Sequence, residues 1–403
     1  MMSPAPSPLA PAAARPVAAE IWARALAAGR PREVELFLLT ARTAPSDEAI
    51  ERIRTLARGG VDWAYVVGLV DGHGVWPVAH RTLSAVAGIR LPGEVAAELR
   101  TGAHATAALV QIRIEEVAAL DRALAVQGVE ALFFKGVALG GFAYGNPARR
   151  RPGDIDVLVR HEDFGRAREV LVERGYRSRV PADAEGRYLR THSGIAFEHP
   201  EGNVDLHATL EQRAFDSLPF SVKLGEEVWA RSVTVDLGGA AVRTLSGEDA
   251  LIHLCAHGAR HSWVAFYAVC DVAEVIGASP ALDWDCITER VQERGSSRIF
   301  HLGLLLACGL LDADVPPEVY DRAARDEPAA ALAAEVSEWL FDPESTAGAI
   351  RHEDLAGSLR HHQYHMKLLE RPADKVTYVV LRGLRMLKKK LPTSSAARER
   401  AAG

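Results

Sequence analysis

Between Gly128 and Thr244 the hydrophobic pattern stops repeating at helical spacing and breaks into short β-branched and aromatic runs, with helical periodicity on both sides. Such a chain is neither a helical bundle nor a β-sandwich: it needs a small sheet set among helices. Val129 to Phe134 reads as a strand, Val137 to Tyr144 as a short helix, and Ile155 to Val159 as a second strand bounded by Pro152-Gly153 and Arg160. Glu162 to Arg174 reads as an amphipathic helix closed by Gly175. Gly194 to Glu198 and Asn203 to His207 flank His199-Pro200-Glu201-Gly202, a hairpin turn. The expected class is α+β, with a small mixed-sheet core over 128–244.

On either side, apolar residues recur every three or four positions. Breakers at Gly59-Gly60, Gly72 and Pro92-Gly93 divide the first stretch into helices. Helical domains are therefore expected over 20–127 and 245–391, the second opened by a capping sequence, Ser246-x-x-Asp249. Residues 1–19, rich in Ala and Pro, and 392–403 read as disordered tails.

Charge narrows the partners. Across 403 residues, 53 acidic side chains outnumber 47 Lys and Arg, so no global positive field draws the chain to nucleic acid or an anionic membrane. Lys388-Lys389-Lys390 is too short to change that and reads as a solvated helix end. Four dispersed cysteines without a C-x-x-C pair read as reduced core residues. The longest apolar stretch, Ile299 to Leu311, contains His301 and falls short of the roughly 20 residues that cross a bilayer. A cytoplasmic location with no membrane partner is expected.

The chemistry concentrates in Phe134-Lys135-Gly136 and in Arg150-Arg151-Pro152-Gly153-Asp154-Ile155-Asp156. Side chains alternate along a strand, so Asp154 and Asp156 project to one side while Ile155 and Val157 enter the core. Two adjacent carboxylates repel unless a cation sits between them, and their hard oxygens suit Mg²⁺ with substrate phosphates. Asp205 is the third candidate, sharing a face with His207 while Val204 and Leu206 face inward. Lys135-Gly136 stands where a strand gives way to a helix, so Gly136 admits close phosphate approach and Lys135 adds a charge. Each piece also has a plainer reading: a solvent-facing strand edge for the carboxylates, a tight turn for Lys135-Gly136.

In combination these pieces resemble the nucleotidyltransferases of the DNA polymerase β superfamily, and within it the group of uncharacterised nucleotidyltransferase family proteins. The resemblance rests on the strand ending at Lys135-Gly136, on Tyr144-x-x-Pro147-x-x-Arg150-x-x-x-Asp154-Ile155-Asp156, on Gly175-Tyr176 and on Val204-Asp205-Leu206-His207. It reaches Trp63 and His73 before them and His253, His257, His261 and Trp263 after. It implies transfer of a nucleoside monophosphate from an NTP to an acceptor, with release of pyrophosphate and two Mg²⁺ ions. Asp154 and Asp156 would hold both ions, Asp205 would bind the one nearer the acceptor, and Gly136 would contact phosphate. Arg150 would neutralise phosphate charge, a choice over the equally basic Arg149 and Arg151 that rests on the resemblance. The chain departs from the superfamily in having Lys135-Gly136 where Gly-Ser is usual, and in a longer interval from Gly136 to Asp154.

His253, His257 and His261 share a helix stripe with Asp249. They read as a packed helix face, as a polar wall of the pocket or as a zinc site, and Asp271 is a candidate to orient one imidazole. His361-His362-x-x-His365 reads as a solvated helix face, and His207 as a nucleotide or acceptor contact or a structural hydrogen-bonding group. Three functions follow: an enzyme modifying a small molecule, peptide or protein; an RNA-end nucleotidyltransferase, which needs a basic stripe that only Arg149 to Arg151 and the Lys388 cluster offer; or a non-catalytic interaction protein.

Overall fold

The computed structural model describes residues 15–190, 192–210, 225–342 and 355–380. Their architecture is α+β: a five-stranded mixed sheet with helices before and after it in the chain. β1 (Ala131–Phe133) pairs antiparallel with β2 (Ile155–Val159), and β2 runs parallel to β5 (Val204–His207). Beyond β5 lie β4 (Gly194–Glu198) and β3 (Arg177–Ser178), both antiparallel to their neighbours. β4 and β5 are joined by the expected turn, closed by a bond from the Gly202 N–H to the His199 carbonyl.

Within 128–244, besides one-turn helices such as Glu227–Arg231, three features of the described residues escaped the sequence reading. β3 has two residues and the Ala182–Tyr188 helix seven, both too short to show a period. The third is a separate hairpin, β6 (Val233–Asp236) and β7 (Ala241–Thr244), turned at Gly238-Gly239 where Asp236 Oδ1 accepts both glycine N–H groups.

The helices lie differently from the expected pair of flanking domains. Ile21, Phe37 and Leu69 from the first stretch share one core with Phe266, Leu304 and Phe341 from the second, so both pack as a single helical body. The first described helix, Pro16–Ala28, begins inside the stretch expected as a tail, because Ala18, Ile21, Trp22 and Ala25 bury there. The remaining expected tail residues, 1–14 and 392–403, and the Lys388 cluster lie outside the described residues.

A second, smaller core lies against the other face of the sheet. The 34-residue helix Gly93–Val126, about 50 Å long, joins the two: Val95 and Leu99 enter the helical body, while Val110, Val117, Leu120 and Leu124 pack under the sheet. Strand alternation sorts the rest. Ile155, Val157, Val159, Val204 and Leu206 enter the sheet core, whereas Leu132, Phe134 and Leu158 join the helical body. The residues alternating with the first set on β2 and β5, Asp156, Asp205 and His207, consequently turn toward the helical body. The polar seam opens there.

The apolar stretch Ile299 to Leu311 lies in the helix Ser297–Leu311, which is almost wholly buried. Among the described residues no helix is long and apolar enough to cross a membrane. All four cysteines are free, and Cys255, Cys270 and Cys308 are buried.

Candidate active site

A cleft of about 300 Å³ runs along this seam. Asp154, Asp156 and Asp205 line one side with Lys135 and Gly136; Asp71, His73, Gly74, His257 and Tyr267 come from the helical body opposite. The parallel register sets Asp156 directly beside Asp205. Asp154 sits one residue before β2 and is exposed at the rim. Of the expected carboxylates, then, two lie side by side on adjacent strands and the third reaches the same cleft from the loop.

The tightest grouping is Asp156, Asp205 and His207, whose ligand atoms lie within 4.8 Å of one another. Among the described residues no other trio of histidine, cysteine or acidic side chains is close enough to hold a metal, which leaves the zinc reading of His253, His257 and His261 without support. Asp156 is buried. Lys135 Nζ stands 2.7 Å from its Oδ1, a largely buried ion pair. His207 Nε2 lies 3.4 Å from the same oxygen, and both ring nitrogens lack a closed hydrogen bond. Burial alone would raise the Asp156 carboxyl, but the Lys135 ammonium and then His207 outweigh it and hold the group well below the ordinary carboxylate range. Asp205 goes the other way, raised by burial and then by the Asp156 charge beside it.

These observations bear on a divalent ion. The His207 nitrogens are buried polar atoms short of partners, and Asp156 repels Asp205. The donor set of two carboxylates and an imidazole, with Asp154 at the rim, fits a divalent cation, the carboxylates suiting a hard ion and the imidazole a borderline one.

The histidine helix, Gly247–Arg260, begins as read: the Asp249 N–H donates to Ser246 Oγ at 3.3 Å. Its face divides. His253 is buried edge-on to the Phe134 ring at 5.1 Å, and His207 meets the same ring at the same distance. His257 reaches the cleft. Burial, and after it the Lys135 ammonium, lowers both imidazoles, His253 to about 3, so they are neutral at physiological pH.

Arg150 was expected at phosphate. Its guanidinium lines the cleft but is clamped on Asp271, with Nε to Oδ1 at 2.7 Å and Nη2 to Oδ2 at 2.8 Å. Tyr144 Oη also donates to Asp271 Oδ1, at 2.8 Å. Arg150 Nη1 points to the Gly136 carbonyl at 3.4 Å. Asp271 thus takes Arg150 and Tyr144. Gly136 has φ +54°, which a side chain would strain, so the turn after Lys135 needs a glycine.

His365, expected on a solvated face, is buried, and His361 Nδ1 bonds Ser262 Oγ at 3.1 Å. Their helix packs on the helical body, a tertiary contact with no local sequence signal. Asp71 and Tyr267 were missed as cleft residues, while Arg151, as basic as Arg150 in the sequence, also lines the cleft. They lie on loops and helix ends brought in by packing, and a tyrosine or arginine there carries no periodic signature.

Among comparisons with known proteins, a family model described as an uncharacterised nucleotidyltransferase matches residues 59–312. That span covers the sheet, the cleft and much of the helical body. No curated protein and no solved structure matches the chain.

Proposed function

The chain belongs to this family of uncharacterised nucleotidyltransferases, and on that premise we propose a divalent-ion-dependent enzyme. It moves a nucleoside monophosphate from an NTP to a small-molecule, peptide or protein acceptor and releases pyrophosphate. The observation that carries this reading is the convergence of Asp154, Asp156 and Asp205 on one cleft, the latter two paired in register on parallel strands.

Asp156 and Asp205, with His207 or Asp154, would hold Mg²⁺; once bound, the ion supplies charge neutralisation to the triphosphate and acidifies the acceptor hydroxyl. The protein's own groups do the rest. Asp205 accepts the acceptor proton, a role suited to a carboxylate whose proton affinity is raised by burial and by Asp156. The acceptor oxygen then bonds to the α-phosphorus, the α–β bridging bond breaks, and pyrophosphate leaves with that electron pair. Gly136 lets the phosphates approach the backbone, and the Arg150–Asp271 clamp fixes that turn through the Gly136 carbonyl. Arg151, exposed at the cleft, supplies positive charge to the phosphates.

The test is pyrophosphate release from each NTP with Mg²⁺, screened against pools of hydroxyl-bearing small molecules and peptides. Asp205→Asn should lower turnover by about 10²–10⁴-fold while thermal stability holds. Undiminished pyrophosphate release in both Asp205→Asn and Asp156→Asn proteins would refute the assignment.

A further inference from the structure

Lys135 occupies a position that phosphate contact does not explain. The Phe134 N–H donates to the Asp156 carbonyl at 3.3 Å, so pairing of the two strands extends to the residue before Lys135 and holds it beside Asp156. The chain then turns away at Gly136 with positive φ. The side chain is mostly buried, 2.7 Å from Asp156 Oδ1 and 5.7 Å from the centre of the Phe134 ring. Its charge is felt by His253, buried on the facing helix, and by the half-buried His257 at the cleft. This is a formed cation pocket with its cation covalently attached.

We infer that the Lys135 ammonium permanently fills one of the two cation positions beside Asp156, so that the centre takes a single divalent ion. The inference rests on the reading of this cleft as a metal-dependent nucleotidyltransferase site. A Mg²⁺ bound on the lysine's side of Asp156 Oδ1 would lie about 2.1 Å from that oxygen, inside the volume the ammonium already fills at 2.7 Å. The tight trio of Asp156, Asp205 and His207 is the place left for it. Lys135 is then a tethered substitute for a metal ion, and the lysine that departs from the superfamily's usual Gly-Ser becomes part of the centre's charge design.

Mn²⁺ binding, counted per chain by electron paramagnetic resonance with a non-hydrolysable NTP analogue, tests this without reference to turnover. Wild type should bind about one ion, with no signal from an exchange-coupled pair. Lys135→Met should bind about two, spin-coupled through Asp156, and Lys135→Arg should keep wild-type stoichiometry. Melting curves taken alongside should show Mn²⁺ raising the melting temperature of Lys135→Met more than that of wild type. A coupled pair in wild type, or a single ion in folded Lys135→Met, overturns the inference and leaves the proposed reaction standing. No retained Mn²⁺ in any of the three proteins would instead remove the metal-dependent reading itself. Should Lys135→Met not fold, the counts for wild type and Lys135→Arg decide.

Discussion

Two buried ion pairs face the same cleft and are built to opposite designs. Arg150–Asp271 is closed: both carboxylate oxygens receive guanidinium nitrogens, and Tyr144 adds a third hydrogen bond. Lys135–Asp156 is open: one ammonium meets one carboxylate oxygen, His207 stands by with both nitrogens unmet, and Asp205 adds a like charge. A satisfied buried pair fixes geometry, whereas one with residual demand keeps binding capacity for something not in the protein. The first braces the Gly136 turn from the helical body, and the second lies on the sheet where chemistry is proposed.

The largest effect should come from breaking the closed pair. Asp271→Ala leaves the Arg150 guanidinium buried and uncompensated, which costs about 3–5 kcal/mol, read by urea unfolding. Asp156→Asn should cost less, because losing that charge also relieves repulsion with Asp205. If the two variants were equally destabilised, the contrast between pairs would fail.

Acid gives the next effect and acts on the braced side. The Phe266 N–H, at the start of the helix bearing Asp271, donates to His73 Nδ1 at 3.2 Å. Burial holds His73 down to about 4 against an ordinary 6.5, despite the Leu340 carbonyl pulling it upward. A depressed folded value means that the stabilisation is complete above pH 6.5 and is lost as pH falls toward 4, where the unfolded chain binds the proton first. The loss approaches about 3 kcal/mol. His73→Gln should flatten the unfolding free energy between those pH values; an unchanged slope would show that His73 does not contribute to it.

The smallest effect sits between the pairs. Gly136→Ala forces a side chain to φ +54°, costing about 1–2 kcal/mol. It should also loosen the Arg150 contact to the Gly136 carbonyl. Hydrogen exchange of the Gly136–Phe142 helix should rise in this variant, while exchange of the core strand β2 stays slow.

Much of the sheet was legible. β2 and β4 fall at their expected bounds and β5 within one residue, because buried strands bordered by Gly, Pro or charge leave sharp edges in the pattern. The alternation that put Val204 and Leu206 inward and Asp205 with His207 outward also held. The β6–β7 hairpin was not read, since its exposed residues, Val233, Thr234, Asp236 and Ala241, leave a thin apolar signal. Arg150 was expected at phosphate from the resemblance, and Asp271, far along the chain, takes its charge instead.

Local sequence thus determined which segments are strands, which face of each is polar, and that carboxylates gather near a lysine and a glycine, because pleat and helix periods are properties of neighbouring residues. Only the fold decided that Asp156 and Asp205 stand side by side, that Lys135 is held by Asp156 and Arg150 by Asp271, and that His73 and His257 complete the opposite wall. A charged side chain in a buried seam takes whichever counter-charge packing brings within reach, and that partner is set by the whole chain.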